Sequence, residues 1–400
     1  MPRRLRLFTA FGLTIVLVPL LVSCGKHQRK QGSAPKSAPK EPAATSPPVG
    51  QREALTEQQR DVLQQIEKAG GTFDGNGKVP PSSIDLASDR VFADDALIRS
   101  LANFPGLERL RLAMVDASGD AFKSLQSLPE LTHLFLQGAS LDNQQLLAIV
   151  EATPKLEHLA LRRVKGISDA FLPALADRSS PRTLALIEID GITGKTLPEL
   201  ANLHSLRSLD LRNCGNLQID DLEQLVRLDK LTELKVGGSA INDEALSVIA
   251  SHPSVSSLAI EDAEVSAECL KCLVAEPRFA KRLRSLAFAR CFGVSDGTLA
   301  TVVEFPNLQT LSLRDILVTG SFIEQLQGTD SSPPPLKTLI VINGFLGDDS
   351  ITALPDVFPN LARLDLRGNG NVTDASLPAF EKLGDLRELR LEETGVSDSP

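Results

Sequence analysis

One short phrase, Leu-x-x-Leu-x-Leu, recurs thirteen times from residue 81 onward and constrains the fold more than any other feature. Clear copies are Leu107–Leu112, Leu131–Leu136 and Leu206–Leu211. Successive phrases are spaced by 24 to 28 residues. Such a fixed period is typical of a solenoid, in which each unit packs only against its neighbours. The phrases end at Leu86, Leu112, Leu136, Leu161, Leu186, Leu211, Val236, Ile260, Phe288, Leu313, Val341, Leu366 and Leu391.

Each unit combines a predicted strand with a predicted helix. The phrase alternates apolar and variable residues, which predicts a short strand with one buried face. The second half of a unit has helical spacing; for example, Ile167, Phe171, Leu172 and Leu175 share one face. One unit cannot bury its own leucines, but stacked units can. The sequence therefore predicts an α/β solenoid shaped like a horseshoe, with a concave parallel sheet and convex helices.

The units resemble those of leucine-rich repeat proteins, in particular the cysteine-containing subtype with convex helices. The resemblance is carried by the phrase and by the segments around Cys214 and Cys291, over about four fifths of the chain. The family's phrase usually closes with Cys or Asn, which here occurs only at Cys214, Cys291 and Asn369. The resemblance implies a recognition scaffold, and some members of the family are substrate receptors of ubiquitin ligases.

Residues 1–23 are predicted to be a signal peptide. Arg3, Arg4 and Arg6 precede an apolar run from Phe8 to Val22, which is too short to span a bilayer comfortably. The run leads into Leu21-Val22-Ser23-Cys24-Gly25, which resembles the lipobox of bacterial lipoproteins. That resemblance implies that Cys24 carries a lipid and becomes the first residue of the mature protein. The sequence leaves open whether the membrane is the inner or the outer one.

Three further segments are predicted after the signal peptide. Residues 24–52, rich in Pro, Ala, Ser and Lys, form the lipidated end and a disordered tether, whose 28 residues after Cys24 reach on the order of 80 Å at ~3 Å per residue. Residues 53–80 form an amino-terminal cap, with Thr56 and Gln59 as a capping box and Phe73–Val79 as a hairpin. Residues 81–400 form about thirteen leucine-rich repeats.

Composition limits the class of partner. Residues 53–400 contain 33 basic and 50 acidic residues, a balance of −17, which disfavours nucleic acid because phosphate binding needs a basic surface. The chain has no Trp and no Tyr, so binding would depend on Arg and Phe. We find no Ser–His–Asp arrangement, no phosphate loop and no glycine fingerprint in the sequence. We therefore expect no cofactor, no metal and no enzymatic activity.

A set of arginines is the candidate partner-binding site. Each occupies the position directly after the last apolar residue of its phrase, at the edge of the predicted concave face. Arginine donates paired hydrogen bonds to carboxylates and other planar acceptors, so the set predicts recognition of an acidic peptide or an anionic polysaccharide. Charge balance on an acidic scaffold is the alternative interpretation. If exposed, these arginines should tolerate replacement by alanine. The set comprises Arg162, Arg212, Arg314 and Arg367.

Other polar patterns have simpler structural interpretations. His133 and His158 share a position in consecutive units and should lie side by side, as a surface pair or, less simply, a metal pair. Opposite charges should also meet across strands, with Arg163 beside Glu188, Asp210 beside Lys235, and Arg290 between Asp262 and Asp315. Ser-Asp and Thr-Asp pairs such as Ser168-Asp169 should cap helices rather than bind calcium.

The remaining cysteines favour structure over chemistry. Cys269 and Cys272 form a C-x-x-C near a predicted helix start. They could be packed thiols or a local disulfide, and a redox role is a weaker alternative; two ligands alone do not make a zinc site. Cys214 and Cys291 are three units apart, roughly 14 Å at ~4.8 Å per strand, which is too far for a disulfide.

Together these features predict a lipid-anchored, extracytoplasmic scaffold that binds a protein or other macromolecule on its concave face. One alternative is an intracellular adaptor resembling the ubiquitin-ligase receptors, although residues 53–80 are short for the helical segment that such adaptors need. A redox or metal enzyme is a further alternative. The sequence does not identify the partner or the oligomeric state.

Overall fold

A computed structural model describes residues 54–75, 77–87, 93–178, 181–195, 197–327 and 332–397. The predicted signal peptide, Cys24 and the predicted tether lie outside these residues. The strands are β1 (Thr72–Phe73), β2 (Ser83–Leu86), β3 (Ala93–Asp94), β4 (Arg109–Leu112), β5 (Val115–Asp116), β6 (His133–Gln137), β7 (His158–Arg162), β8 (Thr183–Ile187), β9 (Ser208–Arg212), β10 (Glu233–Gly237), β11 (Ser257–Glu261), β12 (Ser285–Ala289), β13 (Thr310–Arg314), β14 (Thr338–Ile342), β15 (Arg363–Asp365) and β16 (Glu388–Arg390).

The α-helices alternate with these strands, and several units have a 3-10 helix in their place. The α-helices are α1 (Glu57–Lys68), α2 (Asp95–Ser100), α3 (Asn143–Ala152), α4 (Leu172–Arg178), α5 (Ile219–Glu223), α6 (Asp243–Ala250), α7 (Cys269–Val274), α8 (Pro277–Arg282), α9 (Asp296–Leu299), α10 (Ser321–Gln327), α11 (Asp348–Val357) and α12 (Leu377–Lys382). The 3-10 helices are Leu101–Asn103, Ala121–Ser127, Asp169–Phe171, Leu197–Asn202, Gln224–Arg227, Ala300–Glu304 and Asp374–Ser376.

The strands form one open sheet of 14 strands, and the order of its strands follows the sequence. Strand β1 is antiparallel to β2, and all later neighbours in this sheet are parallel. Thirteen of the strands carry the thirteen phrases, and equivalent leucines are in register: Leu110 pairs with Leu134, which pairs with Leu159. The predicted leucine-rich repeat solenoid with a parallel sheet and helices is confirmed. Strands β3 and β5 add a separate two-stranded sheet that was not predicted.

A single column of apolar side chains fills the space between the sheet and the helices. The leucines of each phrase point into it, while the variable residues between them lie on the other face, half-exposed in β6 and β7 but buried at Ala185, Asp210 and Asp365. On the helical side, Phe171, Leu172 and Leu175 are fully buried, as their spacing predicted. Buried residues from Leu55 to Leu389 belong to one continuous cluster. Each unit thus buries its leucines against the next, which the repeat requires.

The amino-terminal cap closes the first unit. Thr56 and Gln59 form the predicted capping box, and Ile66 of α1 is buried in the core. The predicted hairpin over Phe73–Val79 is wrong in its second strand. Strand β1 pairs instead with β2, the first phrase, where Phe73 is opposite Ile84. Phe73 packs beside the fully buried Ile84, whereas Val79 is only partly buried. The loop between β1 and β2 is therefore longer than the predicted turn.

Pairs of a capping residue followed by Asp link consecutive units. Ser168, Asn242 and Thr373 cap their own helices, as predicted. The aspartate that follows has a different role from the one expected. It accepts hydrogen bonds from the backbone N–H and the hydroxyl of the Ser or Thr in the next unit. The pairs are Asp95 with Ser118, Asp169 with Thr193, Asp243 with Ser266, Asp296 with Thr319, Asp348 with Thr373 and Asp374 with Ser397.

In each of the twelve units where the structure describes this position, the chain turns out of the sheet at a residue with left-handed backbone. This residue is the second after the phrase and has a positive φ, between 50° and 59° where it is not glycine. Nine of these residues carry a side chain, although left-handed backbone normally favours glycine or asparagine. The residues at this position in successive units are Met114, Gly138, Arg163, Glu188, Asn213, Gly238, Asp262, Arg290, Asp315, Asn343, Gly368 and Glu393.

Candidate functional site

The four candidate arginines lie at one edge of the concave face, the face of the 14-stranded sheet opposite the helices. Each follows the last apolar residue of its phrase, as predicted, but no two are on neighbouring strands. Arg162 is in register with Gln137 and Ile187, and Arg314 with Ala289 and Ile342. The structure therefore spreads the arginines along the sheet edge and does not bring them together.

Arg162 is held by a carboxylate of the next unit. Its Nε and Nη2 donate to one oxygen of Glu188 at 3.0 and 2.8 Å, and Arg163 donates to the other oxygen. Burial raises the pKa of Glu188, but the hydrogen bonds from Arg163 and Arg162 outweigh it and leave this pKa below its ordinary value. The predicted contact between Arg163 and Glu188 is confirmed.

Arg212 and Arg367 each bind a buried aspartate two residues earlier in the chain, Asp210 in β9 and Asp365 at the end of β15. Arg212 donates from Nε and Nη2 to the two oxygens of Asp210 at 2.9 and 2.8 Å. Arg367 contacts Asp365 in the same way, at 2.8 Å for both bonds. Both aspartates are buried, Asp365 with 1% of its surface exposed. Despite the cost of burial, these bonds to Asp210 and others to Glu261 raise the pKa of Arg212.

A charged network continues from Arg212 towards the later units. Arg212 also contacts Glu261, which contacts Arg290. Arg290 donates to Asp262 at 2.6 Å and lies 4.0 Å from Asp315, so the predicted position of Arg290 between two aspartates is confirmed. The predicted placement of Asp210 beside Lys235 is confirmed by the register of β9 and β10, but within the described residues the two side chains form no ion pair. Asp210 is taken by Arg212, and Lys235 lies 3.2 Å from Glu233 instead.

Arg314 differs from the other three. It is partly exposed at the end of β13, between Ala289 and Ile342, and neither neighbour is charged. Within the described residues its guanidinium has no carboxylate partner. Its donors are therefore available to a planar acceptor, whereas those of the other three arginines are largely engaged by protein carboxylates.

The carboxylates of this edge were not identified from the sequence as part of the arginine site. A signal for two of them exists, because Leu-Asp-Leu-Arg occurs at Leu209–Arg212 and again at Leu364–Arg367. Residues two apart on a strand face the same side, so an aspartate and an arginine in this pattern can meet. Glu261 has no such signal, because its arginine is 49 residues away in the sequence.

An aromatic cluster occupies the concave face near its amino-terminal end. The rings of His133 and His158 are stacked, with centroids 4.1 Å apart, as the shared position predicted. Arg111 lies over the ring of Phe135 at 5.2 Å. Burial, followed by the charges of His158 and Arg109, lowers the pKa of His133 to about 4. Both imidazoles are therefore neutral at pH 7, because burial also lowers the pKa of His158.

The cysteines of the repeats are thiols. Cys214 and Cys291 donate to the carbonyls of Leu186 and Ile260 in the preceding units, as Asn369 does to Val341. Cys269 and Cys272, whose pairing the sequence left open, are free in α7. Burial raises the pKa of Cys269 to about 12, so this thiol stays protonated at neutral pH.

Among the described residues, no group of three or more His, Cys, Asp or Glu could hold a metal ion. In the same part of the chain, no helix combines the length and the hydropathy needed to cross a bilayer.

Comparisons with known proteins support the fold. No protein-family model and no curated protein sequence matches the chain. Among solved structures, yeast Rad7 in complex with Elc1 has a TM-score of 0.51 and 19% identity, over 72% of this chain and 76% of that chain. An internalin (inlF) from Listeria monocytogenes has a TM-score of 0.38 and 19% identity, over 86% of this chain and 90% of that chain. TLR13 in complex with ssRNA13 has a TM-score of 0.41 and 16% identity, over 77% of this chain and 55% of that chain. The similarity to Rad7 shows a shared leucine-rich repeat fold.

Proposed function

We propose that this protein is a lipid-anchored, extracytoplasmic scaffold that binds a protein or another anionic macromolecule on its concave face. The observation that carries the proposal is the open 14-stranded sheet, whose face opposite the helices presents partly exposed side chains on most of its strands. A surface of this kind suits an extended partner better than a small molecule, because contacts can be added unit by unit.

Arg314 is the proposed direct contact with the partner. Its guanidinium can pair bidentately with a carboxylate or a similar planar acceptor. The other three arginines lie along the same edge of the sheet, but each donates most of its hydrogen bonds to a carboxylate of this chain. The pairs are Arg162 with Glu188, Arg212 with Asp210 and Arg367 with Asp365. The proposed ligand is an acidic peptide or an anionic polysaccharide. Nucleic acid is disfavoured by the −17 balance of residues 53–400.

The anchor is proposed from the sequence. In this proposal Cys24 carries the lipid, and residues 25–52 hold the repeats away from the membrane. Cells that express the full chain should incorporate radiolabelled fatty acid into it, and Cys24→Ala should abolish the label. Cys272→Ala, at a partly exposed cysteine, is the matched control and should keep it. Equal labelling of the Cys24→Ala variant would exclude lipidation at this residue.

Binding by Arg314 can be measured with defined polyanions. We expect Arg314→Gln to weaken binding of polyglutamate about five- to tenfold, which corresponds to roughly 1 kcal/mol. Arg227→Gln removes the same charge from an exposed residue on the helical side and should change affinity less than about twofold. Salt should weaken binding by the unmodified protein. Equal affinities for the two variants would argue against recognition at Arg314.

The alternative function is an intracellular adaptor. The similarity to Rad7, solved as a complex with Elc1, makes it worth testing, although that similarity extends to the fold alone. Fractionation separates the two proposals, because an adaptor would remain soluble inside the cell and would carry no fatty acid. A redox enzyme is less well supported, because burial keeps Cys269 protonated.

A further inference from the structure

Three exposed apolar side chains follow strands β12, β13 and β14 at one shared position. They are Phe292, Leu317 and Phe345, each four residues after the end of its phrase. Their exposed fractions are 85%, 67% and 52%. We call these three residues the apolar stripe. Exposed apolar side chains that are contiguous mark interaction sites more often than scattered ones do.

The apolar stripe is confined to three consecutive units. At the equivalent position the other units have small, polar or charged residues: Arg90, Asp116, Ser140, Lys165, Asp190, Gly215, Ala240, Glu264, Gly370 and Gly395. The only other exposed large hydrophobic residues in the described part are Met114 and Leu377, which lie in other units and at other positions. The stripe is therefore a local feature and not a general property of the repeat.

Contacts between two of the three units fix the backbone of Leu317 and Phe345 relative to each other. The backbone N–H of Phe345 donates to the carbonyl of Val318, beside Leu317, at 2.8 Å. Two residues before the stripe, Asn343 donates to Asp315 at 2.7 Å. Neighbouring strands are ~4.8 Å apart, so the three side chains form a ridge roughly 10 Å long. A preordered ridge costs little conformational entropy when a partner binds.

Acidic groups lie at both ends of the apolar stripe. An open pocket of about 430 Å³ lies beside Phe345 and is lined partly by Glu324, Asp348 and Asp349. Glu324 and Asp349 are exposed, and neither has an ion-pair partner in the described part of the chain. Glu264 occupies the stripe position in the unit before Phe292. A Lys or Arg side chain would complement this pocket, whereas another acidic group would be repelled.

We propose that the apolar stripe and its acidic pocket dock a segment of a partner protein that combines large apolar side chains with Lys or Arg. An amphipathic helix with a basic flank fits this description, because its apolar residues recur at intervals that match a short ridge. A second copy of this chain would place acidic pocket against acidic pocket. A membrane rich in anionic lipid would meet the same repulsion.

This docking site rests on the proposed role as a binding scaffold but not on Arg314. The probe is a synthetic helical peptide of Leu and Lys with one apolar face, compared with a scrambled peptide of the same composition. Polyglutamate serves as the second probe, because the proposed arginine site should bind it and the apolar stripe should not. Calorimetry with the full-length protein measures both affinities.

The principal variant replaces Phe292, Leu317 and Phe345 together with Ser. It should weaken binding of the Leu/Lys peptide at least tenfold and leave polyglutamate binding unchanged. Met114→Ser with Leu377→Ser, at the two exposed hydrophobic residues outside the stripe, should change peptide binding less than twofold. Glu324→Gln with Asp349→Asn should weaken it at least threefold, while the charge-matched Glu244→Gln with Asp229→Asn should not. Circular dichroism should show the same fold in every variant.

Several results would overturn the proposal. If the Leu/Lys peptide with one apolar face and the scrambled peptide bind equally well, the site does not recognise an amphipathic helix. If the triple Ser variant and the Met114→Ser, Leu377→Ser variant lose the same affinity for the peptide, the apolar stripe is not its binding site. If the unmodified protein forms a dimer that the triple variant abolishes, the stripe is a self-association surface. If the triple variant loses binding to phosphatidylglycerol vesicles but not to the peptide, the occupant is lipid. The Arg314→Gln variant tests the proposed arginine site separately, because it should weaken binding of polyglutamate and leave binding of the Leu/Lys peptide unchanged.

Discussion

At the scale of single residues, the concave arginines differ because their surroundings differ. Arg212 and Arg367 each satisfy a buried aspartate, and Arg162 satisfies Glu188. The expectation that all four arginines tolerate alanine is therefore revised for these three. Removing Arg212 or Arg367 leaves a buried aspartate without its guanidinium partner, which costs more than the bond itself contributes. Removing Arg162 costs less, because Glu188 is partly exposed and keeps its contact with Arg163.

Stability should separate Arg367 from Arg314. Arg367→Ala should lower the free energy of unfolding by about 1–3 kcal/mol, because Asp365 would keep its burial and lose both bonds. Arg314→Ala should change it by less than about 0.5 kcal/mol, as exposed substitutions usually do. Urea unfolding measures both values. Similar losses for the two variants would mean that Arg314 has a structural role as well.

His252 should make stability depend on pH. Its ring is buried, its Nε2 lies 2.9 Å from the carbonyl oxygen of Leu225, and its Nδ1 accepts from the backbone N–H groups of Ser254 and Val255. Burial lowers the pKa of His252 to about 4. The unfolded chain binds a proton near pH 6.5 and the folded one does not, so stability falls as the pH drops between these values.

The loss due to His252 should be on the order of 3 kcal/mol across this window. His252→Gln should flatten the curve of unfolding free energy between pH 6.5 and 4, although it also changes stability at pH 7. His204 is exposed, so His204→Gln is the control and should leave the slope unchanged. Guanidinium unfolding at a series of pH values gives the slopes. An unchanged slope in the His252→Gln variant would contradict the prediction.

At the scale of elements, aspartates at helix starts join six pairs of consecutive units. Asp348 accepts hydrogen bonds from the backbone N–H of Thr373 at 2.8 Å and from its hydroxyl at 2.6 Å. It also accepts from the hydroxyl of Ser376. Thr373 in turn caps the following 3-10 helix. Each bridge thus orders a helix start and sets the position of its neighbour.

Removing one bridge should weaken the contact between two units. Asp348→Ala should lower the free energy of unfolding by about 1–3 kcal/mol, because three donors lose a charged acceptor. Asp349→Ala changes the adjacent exposed residue and should cost less than about 0.5 kcal/mol. Thermal unfolding of both variants tests this difference. Equal melting temperatures would show that the bridge adds little to the packing of the leucines.

At the scale of the whole molecule, the units share one core. At each end of a solenoid, the apolar core of the last unit is exposed to water unless another element packs against it. Helix α1 covers the first phrases through Val62, Leu63 and Ile66. Its link to the next unit includes a hydrogen bond from Gln59 to the carbonyl of Asn103 at 2.8 Å. Because a solenoid is stabilised mainly by contacts between neighbours, damage to the cap should spread from that end.

Ile66→Asp should expose the first units to solvent. We expect a loss of more than about 3 kcal/mol of local stability, because the change buries a charge without a partner. Hydrogen exchange should accelerate at residues 83–86 and 109–112 while residues 310–314 stay protected. Gln64→Asp, at an exposed residue of the same helix, should have no such effect. Uniform acceleration along the chain would mean that the repeats unfold as a single unit.

The sequence by itself determined the strands, their register and the core, because each depends on an apolar alternation within a few residues that repeats in every unit. Even the contact between His133 and His158 followed from the shared register. Only the tertiary structure decided the left-handed position, which Met114, Arg163 and Glu188 occupy without any common residue type. It also decided that Asp210 pairs with Arg212 and not with Lys235, and that Glu261 joins Arg212 to Arg290. The contacts of Glu261 depend on the side-chain directions of residues one or more units apart, which spacing along the chain does not reveal. The Leu-Asp-Leu-Arg pattern allows Asp210 to meet Arg212, but Lys235 is in register with Asp210 as well, and only the folded side chains decide between the two.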